Sequence, residues 1–157
     1  MTKCITIATA VLFLASQVFA ADAPYSFEDQ HIRIEGEVKS AAGKKSATLE
    51  LKMTPKEGWK LLADNSSGTK PLRLTVGGAR CIKASGVASF SKPDISGYDE
   101  SGAYSEYYTK TATAKQEFTR QGCGKNDSEP VAKLTYLLCQ ESRCVGPFSR
   151  ELKAKGK

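Results

Sequence analysis

Cys139 and Cys144 stand with four residues between them in KLTYLLCQESRCVGP, residues 133–147. Val131, Leu134, Tyr136 and Leu138 are apolar or aromatic in a run of high β propensity, and the polar residues 140–143 form a turn. The cysteines therefore bracket a hairpin loop, one leaving the first strand and one entering the second. Sulfurs placed in this way can bond without moving the backbone, provided their Cβ atoms face each other.

Two chemistries are open to such a pair. A thiol attacks a disulfide as the thiolate, and the sulfur it displaces must itself leave as a thiolate, so nearby charge decides reactivity. Arg143 precedes Cys144 and favours its ionised form, and Lys133 shares the strand of Cys139. Asp94, Asp99 and Glu100 in the 91–102 segment would oppose ionisation if that segment folded over the pair. The other reading is a hairpin staple that never opens. No Cys-x-x-Cys motif, no Gly-x-Ser-x-Gly motif and no His/Cys/acid cluster at metal-ligand spacing is present, so thioredoxin-type, hydrolase and metal chemistry have no support. No cofactor and no metal is expected. His31, the single histidine, lies at a strand start without a second ligand candidate and is expected at the surface.

The elements that hold the pair belong to one domain of a 157-residue chain. Residues 1–20 have a lysine, an apolar run from Ile5 to Leu14, and the small residues Val18 and Ala20 before Ala21. That is the pattern of a cleaved signal peptide, leaving residues 21–157 as the mature domain, exported to the periplasm or secreted. No other run is long and apolar enough to span a bilayer, so no stable membrane insertion is expected. Cys4 departs with the peptide, and the four remaining cysteines form an even set in a compartment where disulfides persist. They allow three pairings, of which Cys139–Cys144 with Cys81–Cys123 is favoured because the close pair can hardly avoid itself. Loop-closure entropy assigns about 2 kcal/mol to the short ring and about 4 kcal/mol to the long one, so the structural disulfide is Cys81–Cys123. The net charge of +6 is spread over every segment and interleaved with acids, apart from the basic tail 150–157. No basic stripe with alternating aromatics exists, so nucleic acid is not an expected partner.

Along the chain, residues 21–29 are a polar lead-in. Residues 30–39 and 46–54 alternate as a hairpin, with a bulge allowed at Gly36. Pro55 to Gly58 turns Trp59 into the core or its rim. A polar loop at 64–70 precedes a strand at 71–76, and Cys81 falls in a short strand at 79–84. Residues 91–102 have the composition of a mobile loop, edged by Tyr98 and Tyr104. Residues 107–118 read as strand, although KTATAKQEF also fits a helix. Residues 147–152 close an edge. Seven to nine short strands with almost no helical periodicity predict an all-β sandwich.

The Pro55-Lys56-Glu57-Gly58-Trp59 run, with Leu134-Thr135-Tyr136, Cys139-x4-Cys144 and Pro147 at their distances, resembles the N-terminal periplasmic domain of the thiol:disulfide interchange protein DsbD. The likeness spans residues 25–152. It implies an immunoglobulin-like β-sandwich whose cysteine pair is shielded by a cap loop. It further implies that Cys144 forms the mixed disulfide with partners and Cys139 resolves it. The cap would be the 94–104 segment with Tyr98 as shield, and Trp59 would lie near the pair. The implied partners are thioredoxin-fold periplasmic proteins and a separate membrane electron donor. Cys81 and Cys123 lie outside the resemblance, and Val145-Gly146-Pro147 keeps one proline where the family often has two. The rival readings are a disulfide-stapled binding module that uses the 91–102 loop, and a subunit or inhibitor domain that pairs through its strand edges.

Overall fold

The computed structural model describes residues 25–40, 45–63, 72–98, 102–124, 129–141 and 143–155. Residues 1–20, where a signal peptide is expected, the whole 64–70 loop, Asp99 and Glu100 lie outside them. The described residues form eleven β-strands and no helix. These are β1 (Tyr25–Glu28), β2 (Ile32–Ser40), β3 (Ser46–Pro55), β4 (Lys60–Leu62), β5 (Arg73–Gly77) and β6 (Ile82–Phe90), followed by β7 (Ile95–Tyr98), β8 (Tyr104–Tyr108), β9 (Ala112–Arg120), β10 (Val131–Gln140) and β11 (Arg143–Leu152).

They pair into two sheets, one ordered β1-β2-β3-β9-β6 and the other β11-β10-β4-β8-β7, with β5 also on β10. Period-two alternation builds the core between them. Ile32 and Ile34 on β2, Leu49, Leu51 and Met53 on β3, and Ala112, Ala114 and Phe118 on β9 are buried from one side. Ala132, Leu134, Tyr136 and Leu138 on β10 meet them from the other, within the same apolar cluster. The all-β sandwich expected from alternation, immunoglobulin-like as the resemblance implies, is the fold observed.

Local expectations needed four corrections. The β2–β3 register runs unbroken through Gly36, opposite Leu51, so there is no bulge. Glycine is needed for room, because a Cβ there would collide with the Leu51 side chain and lie 3.2 Å from the Tyr25 Cβ. The lead-in contributes β1, where Tyr25 is fully buried and its phenol donates to the Pro130 carbonyl at 2.7 Å. Cys81 sits in the turn before β6, closed by Ile82 N donating to the Ala79 carbonyl at 2.9 Å. The strand then continues to Phe90, well beyond residue 84.

The fourth correction bears on function. Residues 95–98 pair with 104–107, so the segment read as a mobile loop carries the β7–β8 hairpin at the sheet edge. The threonine-rich run is strand throughout β9. Its Gln116, almost fully buried, donates its amide to the carbonyls of Ser85 at 3.0 Å and Gly86 at 3.2 Å. Those carbonyls sit where the β6 ladder shifts register between Ser85 and Ser89. A buried amide that satisfies an interrupted ladder favours strand over the helix its composition also allows.

Candidate functional site

The cysteine hairpin is tighter than the sequence suggests. Gln140 and Arg143 still pair across it, so the chain reverses directly between them. Glu141 takes a positive φ of 51°, the backbone twist a two-residue hairpin requires. Cys139 lies directly opposite Cys144, with Cα atoms 3.9 Å apart and the sulfurs bonded.

The two sulfurs do not share an environment. Even-numbered residues of β10 point into the sandwich, so Leu137 and Cys139 point to the outer face. There Cys139, 1% exposed, packs in a small cluster with Leu62, Leu137 and the ring of Tyr107. Cys144 is exposed. The edge strand offers one sulfur to solvent while β4 and β8 cover the other. An attacking thiolate can approach Cys144, and Cys139 becomes the sheltered leaving group.

Beyond the pair, β11 regains register through one extra residue, with Tyr136 opposite Phe148 but Leu138 opposite Val145. Gly146 occupies this irregularity at a φ of 116°. A Cβ on it would fall 2.9 Å from the Phe148 nitrogen, so only glycine fits here. Trp59 flanks the site from the residue before Lys60, which pairs with Cys139. It is half-buried against the core, with His31 edge-on at a centroid distance of 4.5 Å. His31 also stacks on Phe148 at 6.4 Å. It is thus half-buried within an aromatic group, in contrast to the surface position expected for it.

Of the expected cap residues, Asp94, Tyr98 and Tyr104 fall among the described residues. Tyr98 is 76% exposed and its ring leans on Tyr104 at 5.2 Å, while Tyr104 donates to the Glu106 carboxylate at 2.6 Å. In sheet order β4 stands between their hairpin and the cysteine strand. Asp94 faces the other end of that hairpin, where its Oδ2 accepts the Thr109 and Lys110 amides, each at 2.9 Å. The Lys110 amide, followed by that of Thr109, holds its carboxyl below the usual range. Asp94 therefore fixes the base of the hairpin.

Two residues near the pair escaped sequence reasoning. Tyr107 packs against the cluster that holds Cys139, and Lys60 lies opposite Cys139; neither is close in sequence, and the pairing of three-residue β4 brings both in. Lys133 shares the outer face but sits six residues up the strand, roughly 20 Å away.

Cys81 and Cys123 form the second disulfide. It ties the turn before β6 to the segment after β9, near Gly78 and the first residues of β10. A strand of ten residues spans roughly 30 Å, so the two bridges occupy opposite ends of the sandwich. Among the described residues, no group of three or more His, Cys, Asp and Glu side chains converges to hold a metal ion.

A two-sheet immunoglobulin-like sandwich with a bonded cysteine pair at a hairpin end is the class these coordinates define. No protein-family model matches the chain, and no curated protein matches it. Among solved structures it is similar to the N-terminal periplasmic domain of ScsB from Proteus mirabilis, with a TM-score of 0.58 and 15% identity over 80% of this chain and 47% of that one. The chain thus spans about half of the ScsB chain. It is also similar to the N-terminal domain of DsbD from Neisseria meningitidis, determined in the reduced form, with a TM-score of 0.50 and 17% identity over 85% of this chain and 86% of that one. At these identities the likeness lies in the fold, which is of the DsbD N-terminal type.

Proposed function

We propose that this chain is an exported thiol–disulfide exchange domain that passes electrons to or from thioredoxin-fold periplasmic proteins through Cys139 and Cys144. The observation that carries this reading is the asymmetry of the pair, a buried sulfur bonded to an exposed one at the end of an edge hairpin. A reduced partner's thiolate attacks Cys144, the partner–Cys144 bond forms, and the electron pair of the broken bond leaves on Cys139. A second partner thiol then displaces Cys144, so the partner is oxidised and the pair reduced by two electrons. The reverse sequence runs through the same mixed disulfide. Residues 1–20 serve as the cleaved leader. By the same resemblance a membrane protein supplies the electrons, and the β7–β8 hairpin is the cap.

Replacing Cys139 with alanine removes the resolving thiol and leaves Cys144 free to attack an oxidised thioredoxin-fold protein. A Cys144-linked mixed disulfide should accumulate on non-reducing gels and in mass spectra, and should be absent from the Cys144→Ala variant. If no adduct forms while the melting temperature falls sharply, the pair is a staple.

A further inference from the structure

When the bridge opens, Cys139 must hold a negative charge in a poor place for one. It is 1% exposed and its neighbours are Leu62, Leu137 and Tyr107. Burial among apolar groups raises a thiol's pKa and makes it a slow leaving group. Lys60 answers this difficulty from the adjacent strand. It is the register partner of Cys139, and directly opposed residues on an antiparallel pair hold their Cβ atoms about 4.5–5.5 Å apart on one face. The side chain is half-buried and lies over the sheet, with Nζ 5.8 Å from the centroid of the Tyr107 ring. That ring packs against the cluster that contains Cys139.

We propose that Lys60 is the electrostatic partner of the Cys139 sulfur, the cation that stabilises the thiolate set free when the bridge opens. The inference rests on the exchange reading of the pair and assigns a residue to its leaving group. As the partner's thiolate bonds to Cys144 Sγ, the S–S electron pair withdraws onto Cys139 Sγ. The Lys60 ammonium lowers the energy of that charge without transferring a proton. In the reverse direction it keeps Cys139 ionised and ready to displace the partner from Cys144. Among the described residues, the β7–β8 hairpin packs the Tyr107 ring against this cluster. Glu57 in the turn before β4, and Glu141 and Arg143 at the hairpin loop, are charged but exposed, so water screens them more strongly.

The test isolates Cys139 as the single reactive thiol in a Cys144→Ala background and follows its iodoacetamide alkylation against pH by mass spectrometry, with circular dichroism as the folding control. Lys60→Gln should raise the Cys139 pKa by about one unit, a tenfold loss of thiolate below that pKa. Lys60→Arg should restore it. In the chain with Lys60 intact, 1 M salt should move the pKa in the same upward direction, which keeps the test valid even if Lys60→Gln fails to fold. An unchanged Cys139 pKa in folded Lys60→Gln, or an unchanged pKa in 1 M salt, would overturn the assignment. Exchange of the unmutated pair with reduced thioredoxin is measured separately. If the pKa shifts but that exchange is absent, the exchange reading fails and with it the role of Lys60 in catalysis, while the charge contact itself stands.

Discussion

Cys139 and Cys144 are chemically identical residues made unequal by their strands. One belongs to an interior strand of the sheet and is covered from the next strands, and the other belongs to the edge. Gly146 protects this arrangement, because its left-handed φ of 116° lets β11 absorb an extra residue just beyond Cys144. Substituting alanine should cost about 1–3 kcal/mol, since both the backbone conformation and the contact with the Phe148 nitrogen oppose a Cβ. Urea unfolding of Gly146→Ala measures this directly, and an unchanged midpoint would mean that the bulge relaxes freely. At this scale the sequence was informative about the cysteines, because a turn between two β-prone runs dictates that they meet. It was silent about Lys60 and Tyr107, whose approach to Cys139 depends on which strands pair and not on any local pattern.

Among the elements, the β7–β8 hairpin departs furthest from its reading. Ser, Gly, Pro and Asp are turn formers, and nothing within residues 91–102 reveals that β8 supplies a ladder for them. Asp94 anchors the hairpin by accepting two backbone amides from Thr109 and Lys110. Those bonds lower its folded-state pKa, so their contribution is complete above the ordinary aspartate value of about 3.9 and is lost as pH falls through the lowered one. In an NMR pH titration the Thr109 and Lys110 amides should shift together, with a midpoint below that ordinary value, and Asp94→Asn should abolish the transition. A midpoint at the ordinary value would show that the carboxylate is not engaged in solution. The strands themselves were more legible. Alternation in β2, β3 and β10 marked the core face correctly, whereas the buried amide of Gln116 and the room needed at Gly36 emerge only from packing between strands distant in sequence.

Across the whole molecule, the two bridges lie at opposite ends of the sandwich. Cys81–Cys123 joins segments 42 residues apart in sequence at the end of the sandwich away from the hairpin. Replacing both cysteines with serine should lower stability by up to about 4 kcal/mol, read from denaturant unfolding, yet leave the rate of exchange at Cys144 within about twofold. A large loss of exchange in the folded variant would instead couple the two ends. The fold class followed from alternation and turn spacing, and the pairing of the four cysteines from the closeness of Cys139 and Cys144 in sequence. The position of Cys81 in a turn was not, since a short β-prone run reads the same whether it pairs or bends.

The most direct measurement is the reduction potential of the Cys139–Cys144 bridge, obtained by equilibrating the whole protein with thiol–disulfide buffers and counting alkylated thiols by peptide mass spectrometry. A working pair should equilibrate between about −120 and −270 mV, the range of thioredoxin-like couples, with Cys81–Cys123 still oxidised. A Cys139–Cys144 bridge that stays closed below about −300 mV would behave as a structural disulfide and contradict the exchange reading.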